Sequence, residues 1–440
     1  MGLGPSTKET TLHYYRDPLC QALAADADVD FTGVVVAGTS DENEHKFFIA
    51  QRIGTLLEAM RTDGALISID SWGNCHIDFA SVMEAAGERG IPLVGLSFVG
   101  TQAAFVVTNS YMTPDSIIDL NKTSEGEESR ILGQNTAVEL DALKAVAILK
   151  NKIRRRNSEK LEKKRWAGEE KKEKAEKEEK PEKRVRRLIL RTFAVGELRE
   201  VGGGEPTKLH KGCLSINTEK LFRAGLSALE NADGRVRKFS LSLITPEKRD
   251  VSVNSILDFA PVAAKVAGRA GEGITHVFSG LRTLLTAVEE GGFQPANMGS
   301  ADGVLDRRVV FGRPGTPGGG DGLLHVDVLL AEGQGRSRAG IMAAHEVCDA
   351  VAQELRETLR ALPSSDAAAK EEFWDIVRPN GYKIALVKLV SGLGCRYDTL
   401  LFPREPAGYA GGKSIMDRSN NVQIVITPNE YRDGVLHALT

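Results

Sequence analysis

At 440 residues the chain is long enough for about two or three domains. Its apolar and charged fractions, 41% and 27%, exclude a disordered or fibrous protein. The net charge is −3, yet residues 154–187 alone hold 16 Lys/Arg against 9 Glu; the remainder is therefore mildly acidic, which argues against a broad nucleic-acid face.

Residues 1–153 alternate strand and helix. Residues 31–37 (FTGVVVA) form a continuous apolar run, as in a strand buried on both faces. A helix is predicted over 42–61, with Phe47, Phe48, Ile53, Leu56, Leu57 and Met60 on its apolar face. Further strands are predicted over 65–69, 93–98 and 105–108, with a helix over 79–88 ending at Gly90 and another over 135–152. Strands separated by helices give a parallel sheet. Polar residues collect after the first two strands: Thr39, Ser40 and Asp41, then Asp70, Ser71, Asn74 and His76. In open parallel sheets the carboxyl edge is where ligands bind.

Residues 154–187 have too few apolar side chains to offset the entropy of ordering their own backbone. They read as a charged tether, helical up to Pro181. Only Trp166 interleaves the basic residues, which again disfavours nucleic acid as a partner. Residues 188–335 read as a β-rich domain, with short strands over 188–198, 212–216, 236–244, 251–257 and 324–330 and one helix over 218–229. Residues 336–440 read as an α/β segment that packs with 1–153: a long helix over 339–362, buried strands over 383–390 and 422–427, and a short helix over 429–439. The predicted fold class is α/β, a parallel-sheet α/β domain joined to a β-rich α+β region.

No transmembrane run of ~20 apolar residues exists, and MGLGPSTKETT lacks a secretory pattern, so no membrane partner and a cytoplasmic location are expected. The five cysteines (Cys20, Cys75, Cys213, Cys348, Cys395) form no C-x-x-C, and the eight histidines form no H-E-x-x-H, so no metal is expected. Residues 407–414 (AGYAGGKS) match a relaxed phosphate-loop pattern but lack room for the helix that should follow; they read as a glycine loop. Ser6, Thr7 and Lys8 suit either a carboxylate site or, preferably on chemistry alone, a helix N-cap made by Ser6 or Thr7. His13 beside Tyr14 and Tyr15 fits a general acid/base group or, more commonly, a packing histidine. Cys75 next to His76 is a weak thiolate pairing, because adjacent residues do not face each other.

Several runs together resemble a known family. They are K-x-T-T-x-H (Lys8, Thr10, Thr11, His13) with Pro18, G-N-x-x-x-D (Gly73, Asn74, Asp78), G-E-G-I-T-H-V at 271–277, the pattern through Cys213 to Asn217, and P-x-E-x-x-D-G (Pro428, Glu430, Asp433, Gly434). In these the chain resembles the proprotein family of D-proline reductase and glycine reductase component B, and within it two small accessory proteins of the proline reductase operon, here fused through the tether. The resemblance implies a pyruvoyl enzyme whose proprotein cleaves itself before a cysteine, with a selenoprotein subunit as partner. In the family the P-x-E-x-x-D-G segment leads through that cysteine into the K-x-T-T-x-H segment; here the two lie at opposite ends. The expectation is a circularly permuted, non-processed subunit with no cofactor of its own, the pyruvoyl group being carried by a processed homologous partner. The alternative is an amino-acid-binding protein without redox activity. The candidate binding residues are Ser6, Thr7, Lys8, Thr11, His13, Asp70, Asn74, His76, Glu430 and Asp433, around a small zwitterion; no catalytic residue is assigned.

Overall fold

The computed structural model describes residues 9–40, 43–70, 73, 75–97, 105–122, 131–166, 181–294, 301–335, 337–390 and 423–434. Their strands in chain order are β1 (Val29–Gly38), β2 (Gly64–Ile69), β3 (Leu93–Ser97), β4 (Ile117–Asp119), β5 (Lys183–Ala194), β6 (Glu197–Val201), β7 (Lys208–His210), β8 (Cys213–Asn217), β9 (Val236–Ile244), β10 (Ser252–Val253), β11 (Ser255–Ala267), β12 (Gly273–Glu289), β13 (Gly303–Val304), β14 (Gly322–Leu330), β15 (Ala369–Val377), β16 (Tyr382–Val390) and β17 (Ile424–Ile426). The helices are α1 (Thr11–Tyr15), α2 (Pro18–Ala25), α3 (Asn43–Ala59), α4 (Cys75–Glu88), α5 (Glu139–Trp166), α6 (Thr218–Asn231), α7 (Leu305–Arg308), α8 (Arg338–Ala361) and a last one, α9 (Pro428–Arg432).

The first sheet has the order β17-β1-β16-β2-β3-β4. All its pairings are parallel except β17 on β1. The alternating faces of β1, β2 and β16 feed two cores. Val34, Leu66 and Leu386 pack under α2 and α5, while Val35, Ile67 and Val387 pack under α3 and α4. Burial on both faces explains why these strands read as unbroken apolar runs. β16 comes from far along the chain and lies between β1 and β2, in contact with both.

The second sheet has the order β15-β5-β12-β14-β9, with β11 on the other edge of β12. One edge of β12 pairs with β5 over Gly273–Ser279 and with β14 over Leu281–Glu289. Gly280 sits at the change of partner with φ +79°, and a Cβ there would lie 1.9 Å from the Val195 carbonyl oxygen. Only glycine fits such a position. α6 and α8 cover this sheet through Leu221, Val347, Val351 and Leu355. β15 pairs with β5, so the chain passes from the second sheet to the first between β15 and β16.

α1 is the wedge between the two halves. Tyr14 packs into the core of the first sheet, and Leu12 and Tyr15 pack into a core with Leu188, Phe259 and Leu284 of the second.

Four expectations are corrected. Residues 105–108 are not a strand: Val106 is 65% exposed, and the sheet position is taken by β4. β17 is a half-exposed edge strand rather than a buried one, because β1 covers one side of it only. The charged stretch ends in a strand that was not expected, since β5 begins at Lys183, whereas α5 continues to Trp166 as the helical reading has it. The N-cap of α1 is Thr10, not Ser6 or Thr7, and it makes no side-chain cap bond.

Candidate functional site

The carboxyl edge of the first sheet carries a nest of buried charge. Lys388 enters it from β16 and is 1% exposed. Its Nζ lies 3.2 Å from Glu9 Oε2 and 3.1 Å from Asp17 Oδ2, and donates to Ser68 Oγ at 3.3 Å. The ammonium also stands 5.4 Å from the centre of the Tyr14 ring, a cation–π distance. Asp17 is held from three directions. Its Oδ1 caps α2 by accepting from the Leu19 N–H at 2.7 Å, and its Oδ2 accepts from the Tyr431 hydroxyl at 3.0 Å as well as from Lys388. Tyr14 donates its hydroxyl to Asp70 Oδ2 at 3.0 Å.

The electrostatics follow from this geometry. Burial alone would lower the Lys388 pKa, but Asp17 and Glu9 outweigh it and raise it above the ordinary lysine value. Burial would likewise raise Asp17, and Lys388, His13 and the Leu19 N–H bring it below the ordinary value. Tyr14 and Tyr431 are pushed well up, by burial first and then by neighbouring carboxylates, so both stay hydroxyl donors.

His13 belongs to the same nest. It is fully buried, with Nδ1 3.2 Å from Thr136 Oγ1 and Nε2 3.4 Å from Glu9 Oε1. A second ammonium, that of Lys46 on α3, pairs with Asp78 of α4 on the opposite face of the sheet. Asp78 Oδ1 also accepts from the Ser40 N–H at 3.2 Å.

The predicted site residues divide into separate places. Ser6, Thr7, Lys8 and Asn74 lie outside the described residues, as does the glycine loop at 407–414. His13 and Asp70 come together through Tyr14, Glu9 and Lys388. Thr11 turns away from them: its N–H donates to Asp258 Oδ1 at 2.8 Å and its hydroxyl donates to Oδ2, tying α1 to β11. His76 packs its ring against Phe105 at 4.6 Å and accepts from the Val106 N–H at Nδ1.

Glu430 and Asp433 form an anchor rather than a ligand wall. Glu430 closes a capping box with Thr427 and pairs with Arg186 at 3.1 Å. Asp433 is fully buried and accepts from Lys265 at 2.5 Å, from the Gly271 N–H at 2.9 Å and from Thr275 at 2.9 Å. The backbone at Gly271 has φ +78°, and a Cβ there would meet Glu430 at 2.6 Å. Two of the family-like runs, 271–277 and 428–434, thus touch across the fold.

Sequence reasoning missed Glu9, Asp17, Lys46 and Lys388. Lys388 had a signal of its own, a lysine inside a strand apolar on both faces, where an ammonium needs a buried partner. Among the described residues no group of three or more His, Cys, Asp and Glu is placed to hold a metal ion, and no helix is long and apolar enough to cross a membrane.

Part of this sheet is similar to proteins of a known family. Residues 3–103 match the family model of glycine/sarcosine/betaine reductase component B subunits, a stretch that supplies β1–β3 and α1–α4. Over 206 residues the chain is 36% identical to the D-proline reductase proprotein PrdA of Acetoanaerobium sticklandii, covering 47% of this chain and 33% of that protein. The alignment therefore spans about a third of the relative's length. The two matches show similarity to this reductase family over part of the chain. No solved structure matches it.

Cys20, Cys75 and Cys348 are buried within helices, and burial pushes the Cys20 and Cys348 thiols up to about 12. Cys213 opens β8 inside a three-stranded sheet, and Cys395 lies outside the described residues.

Proposed function

We propose that this chain is a subunit of a D-proline reductase- or glycine reductase-type complex, acting in reductive C–N cleavage of a small amino acid. It stabilises or completes a pyruvoyl-bearing homologue and does not bear that group itself. The observation that carries the reading is the family match over residues 3–103, whose strands form the carboxyl edge on which the Lys388 nest stands. The partners in this reading are the processed proprotein-type subunit and the selenoprotein subunit.

The nest's own role is positional. Lys388 and Tyr431 fix Asp17 at the start of α2, and Tyr14 fixes α1 against Asp70. The helix pair is thereby held rigidly over the sheet edge, and groups on rigid elements are placed more accurately than groups on loops. A circularly permuted family fold accommodates this arrangement, since segments 9–17 and 428–434 meet through Tyr431, Tyr14 and Asp17.

The test is affinity purification of the tagged chain from its own cells, with intact mass on every subunit retained. The reading expects this chain unmodified by carbonyl-trapping reagents, together with a homologue that they do modify. A trapped adduct on this chain would remove the non-processed assignment. Calorimetric binding of D-proline or glycine with no subunit retained would instead support an amino-acid-binding protein without redox activity.

A further inference from the structure

A second polar cluster lies in the other half of the molecule, on one face of the second sheet. Ser242 on β9 stands opposite His325 on β14, and Asp327 on β14 stands opposite Thr286 on β12. Ser242 Oγ is 3.2 Å from His325 Nδ1, and His325 Nε2 is 2.7 Å from Thr286 Oγ1. Thr286 donates its hydroxyl to Asp327 Oδ1 at 2.5 Å, and Asn254 Nδ2 holds the same carboxylate at 3.0 and 3.1 Å.

The order of these bonds sets the protons. A carboxylate only accepts, so the single hydroxyl proton of Thr286 goes to Asp327. The Thr286 oxygen then accepts from His325, whose proton sits on Nε2. Nδ1 is left as an acceptor for the Ser242 hydroxyl. Burial lowers the His325 pKa, which keeps the ring neutral and able to take a proton. His325 and Thr286 are buried whereas Ser242 is exposed. A bond needed only to satisfy His325 would not require an exposed serine, because water could fill that place. A hydroxyl in solvent, a neutral base behind it and a buried group orienting the base are the parts of an activated nucleophile.

We infer that Ser242 is an acyl-accepting nucleophile with His325 as its general base, Thr286 and Asp327 being positioning residues, and that the substrate class is an ester or thioester acyl donor. Ser242 Oγ adds to the donor's carbonyl carbon while its proton passes to His325 Nδ1. The histidine returns that proton to the departing alkoxide or thiolate. An Oγ–acyl bond replaces the donor's C–O or C–S bond, and nothing is oxidised or reduced. This inference is independent of the reductase reading.

The full chain is incubated with p-nitrophenyl acetate and followed by intact mass and peptide mapping. The expected result is one acetyl group per chain on Ser242, absent in Ser242→Ala. His325→Gln slows acetylation at least 100-fold, the lower end of the usual contribution of a general base of about 100- to 10,000-fold. Thr286→Val slows it in protein that circular dichroism shows to be folded, and Thr286→Ser keeps the rate. Should His325→Gln not fold, Ser242→Cys gives a second reading: iodoacetamide should alkylate it at least tenfold faster than Ser240→Cys, which is also exposed two residues along the same strand. Acetylation confined to lysines, a wild-type rate in folded His325→Gln, or equal alkylation of the two cysteine variants would overturn the assignment.

Discussion

Two buried ammonium groups stand on opposite faces of one sheet, and they are answered differently. Lys46 pairs with Asp78, and the pair joins the two neighbouring helices α3 and α4. Lys388 answers two carboxylates, Glu9 and Asp17, and Asp17 is shared with Tyr431 near the other end of the described chain. The first is a clasp between adjacent elements and the second is a hub joining three distant segments. Burying an ion costs several kcal/mol and is repaid only where partners are well placed. A clasp can therefore be replaced as a unit by apolar side chains, whereas the hub cannot be emptied without stranding charges that other segments depend on.

The largest expected effect comes from breaking the hub. Lys388→Met leaves Glu9 and Asp17 buried without their cation, and breaking a buried pair costs about 3–5 kcal/mol, so a loss at or above the top of that range is expected. Urea unfolding measures it, and a loss under about 1 kcal/mol would break the distinction between hub and clasp. Lys46→Met should cost about 3 kcal/mol, and the double change Lys46→Met with Asp78→Leu should recover most of that loss, since apolar replacement of both partners is often neutral. Absence of recovery would mean that Asp78 is needed for more than the pair, for instance for its bond to the Ser40 N–H.

Acid tests the hub from the other side. Asp17 has its folded pKa lowered, so its contribution is present above its unfolded pKa of about 3.9 and is lost as pH falls through the folded value. Stability should therefore fall with acid below about pH 4 more steeply in the wild type than in Asp17→Asn. Lys388, whose folded pKa is raised, keeps its contribution across this window and loses it only as pH rises through that raised value. Tyr431→Phe, which removes one donor to Asp17 and leaves Lys388 in place, should cost about 1–3 kcal/mol. A cost equal to that of Lys388→Met would make the hydroxyl, not the ammonium, the centre of the hub.

Neither the clasp nor the hub was legible in the sequence. The strands of the first sheet were, because burial on both faces leaves continuous apolar runs such as residues 34–37. Residues 105–108 (FVVT) are also mostly apolar and are not a strand; Phe105 packs on His76 and Phe79 while Val106 faces solvent, and apolar character alone cannot separate the two outcomes. Residues 183–187 fail in the opposite sense. Their side chains are exposed, yet backbone pairing with β15 holds them in a strand. Asp70 and His13 could be named as candidates from their place after a strand and beside tyrosines. Glu430 and Asp433 were named too, but their partners, Arg186 and Lys265, lie over 150 residues away, so their anchoring role could not be read locally. Hub partners at such separations become visible only once β16 is known to lie between β1 and β2.

The smallest effect is expected where the same chemistry faces water. Arg187 on β5 and Glu372 on β15 approach to 2.6 Å, as close as any pair in the nest. The hydrogen bond from Arg187, then those from Trp374 and Lys370, hold the Glu372 carboxyl at about 2. Taken alone, that depression would suggest a strong contribution. The pair is solvent-facing, however, so water solvates each ion almost as well after separation, and salt screens what attraction remains. Arg187 also stands 5.7 Å from the Trp374 ring, a contact that Lys retains in part. Arg187→Lys should therefore leave the melting temperature unchanged within error at physiological ionic strength, and Arg187→Ala should lower it only slightly through lost packing over Trp374. A drop comparable to that of Lys46→Met would show that geometry, not burial, decides how much an ion pair contributes in this protein, and the contrast between hub, clasp and surface would fall together.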